Sequence, residues 1–529
     1  MPPQRPGLAR CCGEQYRPSG EAVAAGVLVV GSFPQVQDAP IGRPSACPFP
    51  STSSGDRLSR SAKDIIILGG GLAGLSAGQA LTNAGFGVQV FERDAVVGGL
   101  SKTIERNGFR FDLGGHRFFT TDAVVDGCVR DLLGDELVTV ARSSKIHMRG
   151  KFFDYPLKPL NAMFGLGVST TARIIADYLS ESARRMVRKD EIHSLEDWVV
   201  VNFGRTMFDI YFKEYSEKVW GIGCDRISAA WVAQRIKGLS LGKAIQNAFF
   251  KFSGRGLATL TDTFLYPSLG IGRIADRLRE EIEVRNDVVT DADVLHVNHA
   301  GGRITDIRIR HRGTVRRIAG DEFISSIPLN MLVNLLHPEP PLAVREAAAQ
   351  LKFRDLVVVA VMVDREQVTD QTWIYIPEQH IPFGRIHEPT NWSREMAPAG
   401  KSLLVMEYFS YRGDAVWSMD EQMLADLTID HLAKLGFLGR GEVIDTMVVR
   451  VPKAYPLFEI GYRDRVEALL AFFDEFENLE ITGRSGMFRY YNMDAALRSG
   501  MDAAERIVRK AAHAIAIDEQ EPVLAEIIS

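Results

Sequence analysis

Cysteine is scarce in this 529-residue chain, limited to Cys11, Cys12, Cys47, Cys128 and Cys224. No CxxC pair and no HExxH motif occurs, and no Ser-His-Asp arrangement stands out, so thiol, zinc and hydrolytic mechanisms have nothing to rest on. The bland reading of the thiols is reduction in a cytoplasmic protein, and no metal site is expected. An excess of charge of one sign is also missing. With 62 Lys and Arg against 67 Asp and Glu, the net charge of -5 gives no electrostatic case for nucleic acid or an anionic membrane as partner. Long apolar runs are missing too. Ala22 to Val30 is too short to span a bilayer and is preceded by an acid rather than a basic region, and no later run reaches about eighteen residues without interruption. Residues 1–62, rich in Pro, Gly, Ser and Arg, read as a disordered N-terminal extension.

Glycine is plentiful, and its placement carries chemistry. An apolar strand-like run, Ile65 to Leu68, leads into Gly69-x-Gly71-x-x-Gly74, then a helix-like stretch, a second strand-like run from Val88 to Phe91, and a carboxylate, Glu92. This is the order of a dinucleotide-binding βαβ unit. Gly69 permits the tight turn, Gly71 lets backbone approach a pyrophosphate, and Gly74 allows close helix packing. Glu92, eighteen residues past Gly74, is placed for a ribose hydroxyl. The helix N-terminus adds partial positive charge for the phosphates. Beyond the acid, Arg93 leads to the pair Gly98-Gly99 and Leu100, which suggests backbone pressed against a large planar cofactor.

That continuation resembles FAD proteins more than NAD dehydrogenases. Gly108 to Thr120 (GFRFDLGGHRFFT) and Ile481 to Gly500 (ITGRSGMFRYYNMDAALRSG) are similar to flavin-cradling segments of the amine oxidase and protoporphyrinogen oxidase superfamily. The resemblance implies non-covalent FAD, with NAD(P)H as a candidate reductant. Its implied cofactor residues are Gly69, Gly71, Gly74, Glu92, Arg93, Gly98, Gly99 and Leu100 in the first segment. Gly114, Gly115 and His116 follow in the second, and Gly483, Arg484, Asn492, Met493 and Asp494 in the third.

The length implies two or three domains. The expected fold is α/β: an FAD-binding Rossmann-type (βαβ, glutathione-reductase-like) domain with a helical insertion and a second β-sheet substrate domain. Residues 63–135, 265–328 and 470–515 are assigned to a discontinuous FAD domain, 136–264 to a helical substrate or cap region, and 329–469 to a mixed α/β substrate domain. From Arg142 to Asn247 helical spacing dominates, as across Thr170 to Val187. Val284 to Val297, Ile304 to Ile309 and Phe323 to Ile327 alternate like strands. Leu356 to Val363 and Ser402 to Phe409 read as a second sheet, Glu421 to Leu435 as an amphipathic helix, and Val448 to Tyr455 leads to a helix from Tyr462 to Phe476. His387, Asn391 and Trp392 read as a polar loop, and Tyr155, Tyr375, Tyr408 and Tyr491 as packing.

Within that superfamily the middle of the chain resembles UDP-galactopyranose mutase. Glu214 to Gly221 (EYSEKVWG) holds Tyr215 and Trp220, and Arg235 lies fifteen residues beyond Trp220, one more than the family gap. Phe353-Arg354-Asp355, Lys453 to Pro456 and Gly483 to Asp494 continue the match, although Phe488 stands where the family has a tyrosine. The resemblance implies that Arg235 and Arg354 hold a diphosphate, that His116 lies beside the flavin, and that Tyr215, Trp220, Tyr455 and Tyr490 meet substrate. The implied reaction acts on a nucleotide-diphosphate sugar through N5 of reduced flavin. The alternative is protoporphyrinogen- or amine-oxidase-like oxidation or desaturation of a small molecule, and a third reading is a flavoprotein without turnover. The expected partner is a small-molecule substrate, and the oligomeric state is left open.

Overall fold

The structure is a computed structural model and describes residues 63–155, 167–187, 191–235 and 263–528. The side chains of 168, 186–187, 233–235 and 514–528 are not included in that description, and the expected extension 1–62 lies outside it.

Ile65, Ile66, Ile67 and Leu68 are all buried, because the strand Asp64–Leu68 is central in a parallel sheet covered on both faces. The five strands run in the order Leu479–Ile481, Glu322–Ser325, Asp64–Leu68, Gly87–Phe91 and Asp287–Val289. The helix Leu72–Asn83 joins the second pair and crosses the long helix Met493–Ile528 closely. Ser76 Oγ donates to Leu497 O at 2.8 Å, and a Cβ on Gly500 would run into the Ala73 carbonyl. Three stretches far apart in sequence thus build one parallel sheet of the doubly wound α/β kind.

A seven-stranded sheet stands against it, in the order Val443–Pro456, Phe353–Val363, Ser402–Ser410, Arg385–His387, Trp373–Tyr375, Ser144–Met148 and Lys151–Asp154. The expected runs at 356–363 and 402–409 lie in it. Two expectations are corrected by the same sheet. Ser144–Met148 and Lys151–Asp154 are strands and not part of a helical region, of which Val168–Val187 is the first helix among the described residues. Arg385–His387 is a buried strand and not a polar loop, since Arg385 and His387 turn their polar side chains inward around Ile386. Both faces of this strand are buried, Ile386 in a second apolar core and the polar pair on the other side, so alternation there does not mark inside from outside.

A four-stranded sheet orders Thr314–Ala319, Arg303–His311, Ala292–Ala300 and Leu336–His337. Val284 ends the helix Arg273–Glu283 and does not start a strand. Thr314–Ala319 escaped sequence reading because it is an exposed edge strand with no apolar face.

Candidate functional site

The carboxyl ends of the parallel strands face the seven-stranded sheet across a cavity of about 630 Å³. At one end, Gly69 lies at φ +103, and its N–H donates to Phe91 O at 2.9 Å. Glu92 is buried. Its Oε2 accepts the Gly70 N–H at 2.7 Å and its Oε1 the Asp94 N–H at 2.9 Å, which fixes the carboxylate while leaving lone pairs toward the cavity. Gly98 N–H donates to Gly70 O at 2.8 Å, so the two glycine turns lie side by side. A Cβ on Gly71 would meet only Gly99 Cα at 3.9 Å. The helix that begins at Leu72 has no side-chain cap and no acid in its first turn, leaving its N–H groups and partial positive charge to a ligand. Arg93 and Leu100 also line this end.

Gly115, His116, Trp373, Arg385, Tyr455, Arg484 and Tyr490 line the other end. A Cβ on Gly115 would overlap the Trp373 ring, so only glycine lets the indole close down there. Gly115 N–H donates to Glu407 Oε1 at 3.2 Å, and Glu407 Oε2 accepts from Arg385 Nη1 at 2.8 Å. Arg385 Nε donates to Tyr215 Oη at 3.0 Å. Arg385 is 3% exposed and Glu407 is 0% exposed, yet Arg385 Nη2 has no hydrogen-bond partner among the described residues. The same holds for Nε and Nη2 of Arg484, whose guanidinium lies 4.4 Å from the Tyr490 ring and 5.0 Å from that of Tyr455. Buried guanidinium donors without partners are costly unless an anionic or acceptor group meets them.

Burial, together with the charges of Arg484 and Arg385, pushes the His116 imidazole down to about 4, although its bond to the Gly114 carbonyl favours the cation. The ring is therefore neutral at pH 7. Its Nδ1 lies 3.1 Å from Gly114 O, an acceptor only, so Nδ1 carries the proton and Nε2 presents a lone pair. Burial also pushes the Tyr455 phenol up to about 12.

The structure brings most of the expected residues to the cavity wall: Gly69, Gly71, Glu92, Arg93, Gly98, Gly99, Leu100, Gly115, His116, Tyr455, Gly483, Arg484, Tyr490, Asn492 and Met493. Others stand elsewhere. Gly74 packs on its own turn, where a Cβ would strike Gly69 O, and Gly114 stands behind the wall against Glu407. Asp494 hydrogen-bonds Thr120, and burial raises its carboxyl. Tyr215 and Trp220 form a second layer, Tyr215 bonding Arg385 and Trp220 sitting edge-on to Tyr455 and Tyr490. Arg354 is a correction. It is not on the wall, and its guanidinium donates to Val219 O at 3.1 Å and Phe409 O at 2.9 Å. Arg235 is the last described residue of the helix Ala229–Arg235, and its side chain lies outside the description. Tyr375 and Tyr491 line the cavity and are not mere packing, whereas Tyr408 is fully buried and bonds Thr428.

Sequence reading missed Arg385, Glu407 and Trp373. One signal was visible: Glu407 interrupts the apolar run Leu403 to Phe409, and a lone carboxylate in a buried strand needs a partner. Among the described residues no cluster of three or more metal-ligating side chains occurs, and no helix is long and apolar enough to cross a membrane.

Residues 72–508 match the family of flavin containing amine oxidoreductases. The fold matches that of reduced UDP-galactopyranose mutase with a TM-score of 0.72 at 22% identity, over 84% of this chain and 96% of the other. It matches putrescine oxidase with a TM-score of 0.58 at 17% identity, over 85% and 99%. Among curated proteins, the 4,4'-diapophytoene desaturase (4,4'-diapolycopene-forming) of Methylomonas sp. is 48% identical over 52 residues, 10% of each chain. The 1-hydroxycarotenoid 3,4-desaturase of Flavobacterium sp. (strain P99-3) is 44% identical over 64 residues. These matches span about a tenth of the relatives' lengths. The uncapped helix start and the open face of Gly71 fit FAD, whose diphosphate carries the acceptors they lack. Family match and cradle agree: the chain belongs to the flavin-containing amine oxidoreductases and is an FAD-dependent enzyme.

Proposed function

We propose that the enzyme acts on a nucleotide-diphosphate sugar, with Arg385 and Arg484 in the anion-holding role that the family resemblance gave to Arg235 and Arg354. The observation that carries this reading is the pair of buried guanidiniums whose remaining donors have no partner among the described residues. Planar forks of this kind match phosphoryl oxygens, and a hydrocarbon would leave them unpaired. FAD, when bound, supplies nucleophilic or hydride chemistry at its ring. Gly69, Gly71, Glu92, Gly98, Gly99, Gly115 and Met493 would hold it. The protein's own groups do the rest. Glu407 and Tyr215 fix the Arg385 fork, and His116 Nε2, neutral at pH 7, accepts a hydrogen bond. Tyr455 stays protonated and donates, while Trp373, Tyr375 and Tyr490 exclude water.

The desaturase matches favour a second reading, oxidation or desaturation, and one assay separates the two. Under the proposal, a UDP-sugar is converted only by prereduced protein, without oxygen uptake, and Arg385→Ala or Arg484→Ala weakens nucleotide binding by about 2–5 kcal/mol. Peroxide released on substrate addition in air would favour oxidation. Wild-type protein that binds no nucleotide sugar would end the proposal.

A further inference from the structure

A second cationic cluster lies on the same cavity: Arg93, which borders the cofactor end and pairs with Asp94 at 3.5 Å, is joined by two residues not used above, Arg412 and Lys453. Arg93, Arg412 and Lys453 reach its wall from three places: just past the strand Gly87–Phe91, the turn after Ser402–Ser410, and the strand Val443–Pro456. Arg93 and Arg412 are exposed and Lys453 is half-buried, so the cluster marks the cavity mouth.

Its backbone is held by one carboxylate. Asp355 is buried where the pairing of Phe353–Val363 with Val443–Pro456 shifts register. Its Oδ1 accepts the Lys453 N–H at 2.6 Å and its Oδ2 the Arg412 N–H at 2.7 Å. Lys453 lies at φ +56, a region L side chains rarely adopt. Glycine would adopt it freely, so a lysine at this position points to a role for its side chain. Lys453 Nζ donates to Asn330 Oδ1 at 3.1 Å and lies 4.9 Å from the Phe353 ring, and Arg412 lies 5.6 Å from the Trp417 ring. Neither Lys453 nor Arg412 has an ion-pair partner among the described residues. Burial draws the Lys453 amine below its ordinary value. Asp355 opposes that shift, and the charges of Arg412 and Arg93 add to it, so the three cations sense one another.

We propose that Arg93, Arg412 and Lys453 form a phosphoryl-binding subsite at the cavity mouth for a soluble nucleotide other than the resident flavin. Two arginine forks and one ammonium suit a multiply charged phosphoryl group, which would relieve their mutual repulsion. A nucleotide substrate and a nicotinamide dinucleotide that reduces the flavin share this chemistry. The subsite stands apart from the preceding proposal, because it uses neither Arg385 nor Arg484.

The test is calorimetric titration of the FAD-loaded full chain with inorganic pyrophosphate. Lys453→Gly and Arg412→Gln should each weaken binding about tenfold with flavin content unchanged. Lys453→Gly should also melt at the same or a higher temperature than wild type, since it removes backbone strain along with the charge. Displacement of pyrophosphate by NADPH would assign the subsite to the reductant, and displacement by UDP would assign it to the substrate's diphosphate and so take that role from Arg385 and Arg484. Displacement by neither, unchanged affinity in both variants, or flavin lost in parallel with pyrophosphate affinity would each overturn the proposal.

Discussion

Among the buried polar atoms that have no hydrogen-bond partner among the described residues, those of Arg385, Arg484 and His387 mean different things. The two arginines line the cavity, where a ligand can meet them. His387 is sealed away beside Trp373 and Trp392, its ring nearly parallel to both with centroids 5.6 and 5.0 Å apart. Burial, with His116 and Arg385 nearby, lowers its imidazole to about 3. The sign follows from linkage. Between about 6.5 and 3 the unfolded chain holds a proton at this residue that the folded chain refuses, so its contribution to stability falls as pH drops through that window. His116 acts in the same direction down to about 4, whereas Asp112, raised to about 7 by burial, acts oppositely. Both are shared with a His387→Phe variant, which should therefore lose stability less steeply than wild type below about pH 6.5 in urea titrations. A parallel decline would show that His387 is not held neutral. Residues of this scale were legible where backbone geometry demands a residue type, as at Gly69 and Gly71. Arg385 was not, because its partner Glu407 lies opposite it only through strand pairing.

At the scale of elements, the helix Lys213–Trp220 explains Arg354. A helix leaves its last carbonyls without intrahelical donors. Arg354 donates to Val219 O and, at 3.4 Å, to Lys218 O, and Tyr411 Oη donates to Trp220 O at 2.8 Å. Gly221 ends the helix at φ +67, and a Cβ there would press into the Arg354 guanidinium. The arginine is thus a helix cap that also ties in Phe409 O of the neighbouring strand. Arg354→Ala should cost about 2–4 kcal/mol of stability, from several lost charge-assisted bonds and carbonyls left unpaired. Nucleotide affinity per folded molecule should change little, which denaturant titration and calorimetry on the same preparation would check. Selective loss of affinity with unchanged stability would restore the role first expected of it. The segments Glu214 to Gly221 and Phe353 to Asp355 were recognisable as special from sequence. The direction of the Arg354 side chain was not, because it depends on a helix end more than a hundred residues away.

For the whole molecule, the cavity lies between two independently built sheets, and FAD would contact segments from both. A ligand that binds only the folded chain stabilises it by mass action, about 2.7 kcal/mol at a hundredfold excess over Kd. Flavin-stripped protein should therefore melt at a lower temperature and recover as FAD is added, while adenosine monophosphate, which fills only the nucleotide end, should recover less. Equal recovery would place all the binding energy at the glycine turns. The dinucleotide cradle could be read directly from the chain because its strand, turn, helix and acid are consecutive, and glycine positions there follow from local backbone and steric limits. The identity of the cavity's arginines could not, because Arg354 and Arg385 are equally plausible as isolated letters. Strand pairing sets Arg385 beside Glu407 and aims it into the cavity, whereas helix carbonyls consume Arg354; long-range packing, which no local pattern encodes, separates the two.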